Sequence, residues 1–290
     1  MKPIVMNAFN SLALPALLLL ASCGGGSGTP GTSVANMGAT NVQYGRTITV
    51  TVSGTGLTQT ELSMRVDGPC VDIAKQPGGT ELQLQFTCRI NGLGSVVARI
   101  RNEDRLEYAS LSLDVPSPRV SMSVRQGTRS GTYVVELDPV AAPVTVDNFL
   151  AYVNAIPSFY LNTIFHRVVA DFVVQAGGFT AVPAVKAPTR AAIVSEANNG
   201  LKNLRGTIAM ARLDGADTAT AQFFLNLVDN PGLDFGSAEN PAGYAVFGKV
   251  ISGQEIVDEI GIVPVRLNPA LGLTHQPDTN VVITGATQIR

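Results

Sequence analysis

The 290-residue chain has no tryptophan, two histidines, three cysteines and few charges; Asp, Glu, Lys and Arg together make 14% of it, with a formal net charge of −2. So weak a charge excludes the basic field that holds nucleic acid, and no acidic run marks a disordered tail. Two histidines, His166 and His275, supply neither a metal site nor a Ser/His/Asp triad. The N-terminal apolar run at 12–21 falls well short of the roughly 20 residues that a membrane-spanning helix needs. What remains is a chain long enough for two modest cores, with proteins or small molecules as partners.

The N-terminus reads as a processing segment. Lys2 precedes the apolar run, which ends in Leu20-Ala21-Ser22-Cys23 and resembles the lipobox of bacterial lipoproteins. That resemblance implies a signal peptide over 1–22, a lipid on Cys23 and, with glycine rather than aspartate at Gly24, an outer-membrane anchor facing the periplasm of a Gram-negative cell. An ordinary secretory signal with an incidental cysteine is the alternative. The Gly/Ser-rich stretch that follows makes 23–33 a flexible tether. With Cys23 set aside, Cys70 and Cys88 are left as a pair, which outside the cytosol favours a disulfide over two buried thiols.

Over 34–116 the pattern has period two. Ile48, Val50 and Val52 face one way and Thr47, Thr49 and Thr51 the other; Leu62, Met64 and Val66 repeat this, as do Leu82, Leu84, Phe86 and Cys88. Gly and Pro clusters between the runs predict an immunoglobulin-like β-sandwich. It has no histidine, and its carboxylates have no metal-ligand spacing, so it reads as a spacer or as a docking module for an envelope protein. Pro116-Ser117-Pro118 marks the boundary with a second body over 117–290. There Val120, Met122 and Val124, a turn within 127–131, and Tyr133, Val135 and Leu137 predict a hairpin. Val146, Phe149, Leu150 and Val153 are spaced for a helix that Thr145 could cap, and a shorter helix is expected over 254–260.

Four stretches of this second body belong together: VELDPVAAPVTVDNFLAYV at 135–153, FHRVVADFVVQAGG at 165–178, GTIAMARLDGADTATAQFFLNLVDNPGLDF at 206–235 and GYAVFGKVISGQEIVDEI at 243–260. In order and spacing they resemble the cyclophilin family of peptidyl-prolyl cis-trans isomerases, most nearly its bacterial members. The resemblance covers about 118–290. It implies a closed eight-stranded antiparallel barrel capped by helices, an active site in a shallow apolar groove on the outer face, proline-containing polypeptides as substrates, and no cofactor, metal or ATP. Residue by residue it assigns Arg167 as the catalytic cation and Gln175 as the group that bonds the substrate and helps to orient it. Phe172, Val173, Phe224 and Leu233 would line a proline pocket, Ala211 would keep one wall low, Gln222 and Tyr244 would flank the groove, and the main chain at Arg212 would pair with an extended substrate.

Departures from the family pattern bound that reading. Val173 stands where methionine is usual, and Gly232 where the family carries an aromatic residue, which predicts poor cyclosporin binding. The loop at 236–242 departs from the commonest length. Arg167 could instead be an ordinary strand arginine bridging to Glu196 or Asp171, His166 should point to the opposite strand face as a structural residue, and His275 should be exposed. The competing function is a catalytically weak proline-peptide binding protein or holdase that retains the groove for recognition.

Overall fold

The computed structural model describes residues 31–182 and 184–290, which fall into two compact units, one reaching Asp114 and the other comprising Gln43–Gly45 with Val115–Arg290. Cys23 and most of the tether lie outside the described residues. Among the described residues no helix is long and apolar enough to cross a membrane.

Among the described residues the first unit contains seven strands: β1 (Ser33–Thr40), β2 (Thr47–Thr55), β3 (Ser63–Asp67), β4 (Cys70–Lys75), β5 (Gln83–Ile90), β6 (Gly94–Arg101) and β7 (Glu107–Val115). They form one sheet in the order β1-β2-β5-β4 and another in the order β3-β6-β7. The two-residue period does its expected work: Ile48, Val50 and Val52 of β2 are buried, as are Leu84, Phe86, Cys88 and Ile90 of β5. Leu82 breaks the expectation. It precedes β5 and is exposed, because residues 80–83 make a turn in which the Thr80 hydroxyl accepts from the Leu82 and Gln83 amides. The strand β4 was not legible in the pattern, since after Cys70 its residues are half-buried or exposed and Asp72 takes a positive φ of 56°. A disulfide joins Cys70 of β4 to Cys88 of the adjacent β5, Cα atoms 5.7 Å apart, so it fastens neighbouring strands of one sheet.

The second unit is built from β8 (Arg119–Gln126), β9 (Arg129–Leu137), α1 (Pro143–Val153), β10 (Thr163–Val169), β11 (Val173–Thr180), β12 (Thr207–Met210), β13 (Phe223–Asn226), β14 (Val246–Ser252), α2 (Gln254–Gly261), the small hairpin β15 (Val265–Asn268) and β16 (Leu273–Pro277), and β17 (Val282–Gln288). Eight of its strands close an antiparallel barrel in the order β10-β11-β13-β12-β14-β9-β8-β17, as expected. The expected hairpin of β8 and β9 is tighter than the sequence suggests: Gln126 pairs with Arg129, leaving Gly127 and Thr128 as a two-residue turn in which Gly127 has φ 58°.

The helix α1 buries Val146, Phe149, Leu150 and Val153, the predicted face. Its start differs from the expectation that Thr145 caps it. Pro143 opens the helix, where a missing N–H costs nothing, and Ala142 at the N-cap offers no side-chain acceptor. Glu196 instead reaches in from a distant loop: its carboxylate accepts the Val144 amide at 3.0 Å, the Thr145 amide at 2.8 Å and the Thr145 hydroxyl at 2.7 Å. An anion at these unsatisfied N–H groups is also favoured by the helix dipole. Phe149 then inserts into an aromatic cluster with Tyr160, Phe223 and Phe247, ring centroids 5.1–5.6 Å apart.

Candidate active site

The β10–β11 hairpin carries FHRVVADFVVQAGG. Its tip is a tight reversal in which Asp171 adopts φ 54° and the Phe172 amide returns to the Val169 carbonyl at 3.2 Å. In β10 the register slips between Phe165 and Arg167, so Phe165 faces Ala176 while Arg167 faces Gln175. Such a bulge re-aims the side chains beside it. Directly opposed residues share a face, and the pairing continues from Gln175 to Phe224 and from Phe224 to Ala209. A line of Arg167, Gln175, Phe224 and Ala209 thus runs across the outer face of four strands. The alternating residues Val174, Phe223 and Leu225 fill the interior and are fully buried.

On that outer face lies an open cleft of about 210 Å³, lined by Arg167, Phe172, Val173, Gln175, Ala211, Arg212, Phe224, Leu233 and Tyr244. Nine of the residues singled out from the sequence are brought together here. Gln222 is bonded to the rim: Gln175 donates through Nε2 to Gln222 Oε1 at 3.0 Å. Among the described residues Gln175 makes no hydrogen bond to Arg167, so any orienting effect comes from their cross-strand pairing, not from a direct bond. The floor is apolar, with Val173, Ala209, Ala211, Phe224 and Val246 buried and Phe172, Leu233, Tyr244 and Leu201 packed against them. The Tyr244 ring meets Phe224 edge to face at 5.4 Å.

The two cleft arginines are differently engaged. Arg212 donates from Nε to the Gly243 carbonyl (3.0 Å), from Nη1 to the Leu213 and Asp214 carbonyls (2.8 and 3.2 Å) and from Nη2 to Asn240 Oδ1 (2.7 Å). Arg167 makes no hydrogen bond or ion pair among the described residues; its guanidinium carbon stands 5.7 Å from the centroid of the Phe172 ring. Neither Glu196 nor Asp171 pairs with it, and Glu196 is committed to the helix. The Arg212 main chain makes no backbone hydrogen bond among the described residues, which leaves it able to receive another strand.

Sequence reasoning missed Leu201, which lies in an irregular segment without periodicity, and three buried asparagines. Asn230 Nδ2 donates to the Phe172 carbonyl at 3.1 Å and to Asn226 Oδ1 at 2.7 Å; Asn203 Nδ2 donates to the Leu233 carbonyl at 3.0 Å; Asn226 Nδ2 reaches Asn203 Oδ1 at 3.3 Å. These amides give the Phe172 and Leu233 carbonyls a second donor each, beside the Leu227 and Tyr244 backbone amides, and so tie two walls of the cleft to buried side chains. At Gly232 an added Cβ would lie 1.7 Å from a Glu239 carboxylate oxygen, so that carboxylate occupies the space where an aromatic side chain would begin.

His166 is buried, with its ring 4.7 Å from that of Phe179. His275 is half-buried in β16, not exposed, and its Nδ1 bonds the Thr274 hydroxyl at 2.8 Å. Burial pushes the His166 pKa down to about 4, and the Arg167 charge adds to that against the pull of the Ile164 backbone and Gln222. The native imidazole therefore stays neutral, while the unfolded chain takes up a proton as pH falls through about 6.5. Because the unfolded state then binds more protons, stability is lost between pH 6.5 and 4, by about 3 kcal/mol. Urea unfolding of wild type and His166→Gln across this window should show the wild type losing more stability on acidification; parallel curves would contradict it. Among the described residues no group of three or more His, Cys, Asp or Glu is placed to hold a metal ion.

Comparisons with known proteins place most of this second unit in one family. The family model for cyclophilin type peptidyl-prolyl cis-trans isomerase matches residues 120–288. The chain is 48% identical over 185 residues to peptidyl-prolyl cis-trans isomerase A of Dickeya dadantii, an alignment covering 62% of this chain and 93% of that protein. It is 49% identical over 164 residues to peptidyl-prolyl cis-trans isomerase B of Escherichia coli, covering 55% and 95% respectively. An eight-stranded barrel and a family match over more than half the chain lead to one assignment: this chain belongs to the cyclophilin family of peptidyl-prolyl cis-trans isomerases.

Proposed function

We propose that this isomerase acts on X-Pro bonds of exported polypeptides at the bacterial cell envelope, with Arg167 as its catalytic group. The observation that carries the assignment is the contrast between the two guanidiniums: Arg212 makes four hydrogen bonds to protein acceptors, whereas Arg167 has none among the described residues.

An X-Pro amide rotates over a barrier of roughly 18–20 kcal/mol because resonance stiffens its C–N bond, and uncatalysed exchange takes roughly tens to hundreds of seconds. No covalent step is required; the protein must bind the twisted amide more tightly than either planar isomer. As the bond twists, the proline nitrogen becomes pyramidal and its lone pair localises. An N–H of Arg167 aimed at that lone pair bonds most strongly at the transition state, and the guanidinium offers several donors in a fixed plane. The apolar floor of Val173, Ala211 and Phe224 would hold the pyrrolidine ring and exclude water, strengthening the charge-assisted bond. With its Nε2 committed to Gln222, Gln175 retains its oxygen as an acceptor for a substrate N–H. A rate gain of about 10⁵ needs only about 7 kcal/mol of differential binding.

The envelope setting rests on the lipobox-like LASC sequence ending at Cys23 and on the Cys70–Cys88 disulfide, which suits an oxidising compartment. For the first unit, the pairing orders β1-β2-β5-β4 and β3-β6-β7 support an immunoglobulin-like sandwich of the constant type, serving as spacer or docking module for an envelope protein.

The test is cis-trans exchange of an Ala-Pro tetrapeptide followed by NMR with the full-length protein, beside labelled palmitate incorporation by wild type and Cys23→Ser. Catalysed exchange and labelling that depends on Cys23 are expected. Exchange at the uncatalysed rate with the peptide still bound would make the cleft a recognition site, and absence of label would remove the lipid anchor.

A further inference from the structure

The side chain of Arg212 does something that neither its place beside the substrate strand nor the isomerisation chemistry requires. It leaves the end of β12, crosses the rim of the cleft and places its guanidinium 4.7 Å from the centre of the Tyr244 ring. Two of its bonds, to Gly243 O and Asn240 Oδ1, are to the loop that leads into Tyr244; two more, to Leu213 O and Asp214 O, tie it to its own turn. The Asp234 end of this loop is held separately, by the Asn203 amide on Asp234 Oδ1 at 2.8 Å and by Lys202 at 3.5 Å; the rest is closed by Gly236 N to Pro241 O at 3.0 Å, Gly243 N to Asn240 O at 2.9 Å, and Ser237, whose hydroxyl donates to Gly232 O at 2.8 Å and accepts the Asn240 amide at 3.0 Å. Tyr244 in turn bonds through its amide to Leu233 O at 2.9 Å. Two cleft walls, Tyr244 and Leu233, are therefore joined to one loop, whose Asp234 end is fastened by Asn203 and Lys202 and whose 240–243 end is fastened by Arg212.

We propose that Arg212 is a positioning residue, a latch that holds the 240–243 end of the loop against the turn that follows β12 and thereby fixes the Tyr244 wall of the cleft. A planar fork suits this role, because its edge bonds several acceptors at once while its face lies on the ring. Lysine carries the charge but presents no fork, so it cannot reproduce the arrangement. The consequence for catalysis rests on the isomerase reading; the latch itself does not.

The full-length protein and its Arg212→Met and Arg212→Lys variants would be compared by amide hydrogen exchange without substrate, with melting curves as a check on folding. Exchange at Gly236, Gly243 and Tyr244 should accelerate by about tenfold or more in both variants, while Val174 and Leu225 in the barrel stay as in wild type. With the Ala-Pro peptide, KM should rise by about fivefold and kcat change by less than about twofold, as expected for loss of a binding wall. Arg212→Met combined with Tyr244→Ala should be little worse than Tyr244→Ala alone, because the two act as one unit. Loop exchange unchanged in both variants, or fully additive effects of the two substitutions, would overturn the latch. A wild-type protein with no isomerase activity would overturn the isomerase reading instead, and the exchange data would still decide the latch.

Discussion

Arg167→Ala should lower kcat/KM for an Ala-Pro tetrapeptide by about 10²–10³-fold, the usual effect of removing one donor aimed at a developing charge. The loss should lie in kcat, because the bond to the proline nitrogen strengthens only as the amide twists. Arg167 is half-buried on the outer face of β10 and makes no hydrogen bond or ion pair among the described residues, so its removal strands no partner. Thermal stability should therefore change little. Arg167→Lys should recover only part of the rate, since a point charge on a flexible stem does not present a fixed planar edge. Exchange kinetics on both variants, with melting curves beside them, give the check; an Arg167→Ala protein as active as wild type would remove Arg167 from the mechanism and return the cleft to a recognition role.

Phe149→Ala should have the largest effect on stability, about 4 kcal/mol, by opening a cavity among rings that cannot collapse to fill it. Phe149 is fully buried and meets Tyr160 at 5.3 Å, Phe223 at 5.6 Å and Phe247 at 5.1 Å. Two of these rings belong to barrel strands, β13 and β14, and Phe223 precedes Phe224 of the cleft floor. The denaturant midpoint should fall for this variant with kcat/KM nearly kept in the folded protein, because the alternation of β13 separates the interior from the cleft. Phe149→Leu should cost less than half as much, as it leaves a smaller cavity. A midpoint unchanged in Phe149→Ala would mean that α1 contributes little to holding the barrel.

Those two expectations rest on different levels of legibility. That Phe149 is interior could be read from the spacing of Val146, Phe149, Leu150 and Val153, because a helix must bury such a face. The same holds for the strands: alternating valines, leucines and threonines specify which face is covered, whatever covers it. The residues of the cleft were legible by another route, the resemblance of four ordered stretches, which named nine residues that the fold then set around one cavity.

Local pattern could not reach the contacts made by chains distant in sequence. Glu196 caps α1 from about fifty residues away, where Thr145 had looked sufficient, because the carboxylate reaches three donors at once. Leu82 continued the apolar alternation on paper, yet a turn closed by Thr80 places it outside β5. The slip at His166 and the asparagines behind Phe172 and Leu233 depend on neighbours that no window of sequence contains.

The sequence by itself determined the two β-rich bodies, the family of the second and the residue types of its cleft, because periodicity and ordered motifs are properties of the chain. The tertiary structure alone decided which arginine lacks acceptors among the described residues. Arg167 and Arg212 are chemically identical, and only the fold separates them, by offering Arg212 acceptors from the 234–243 loop and from its own turn while Arg167 has none among the described residues.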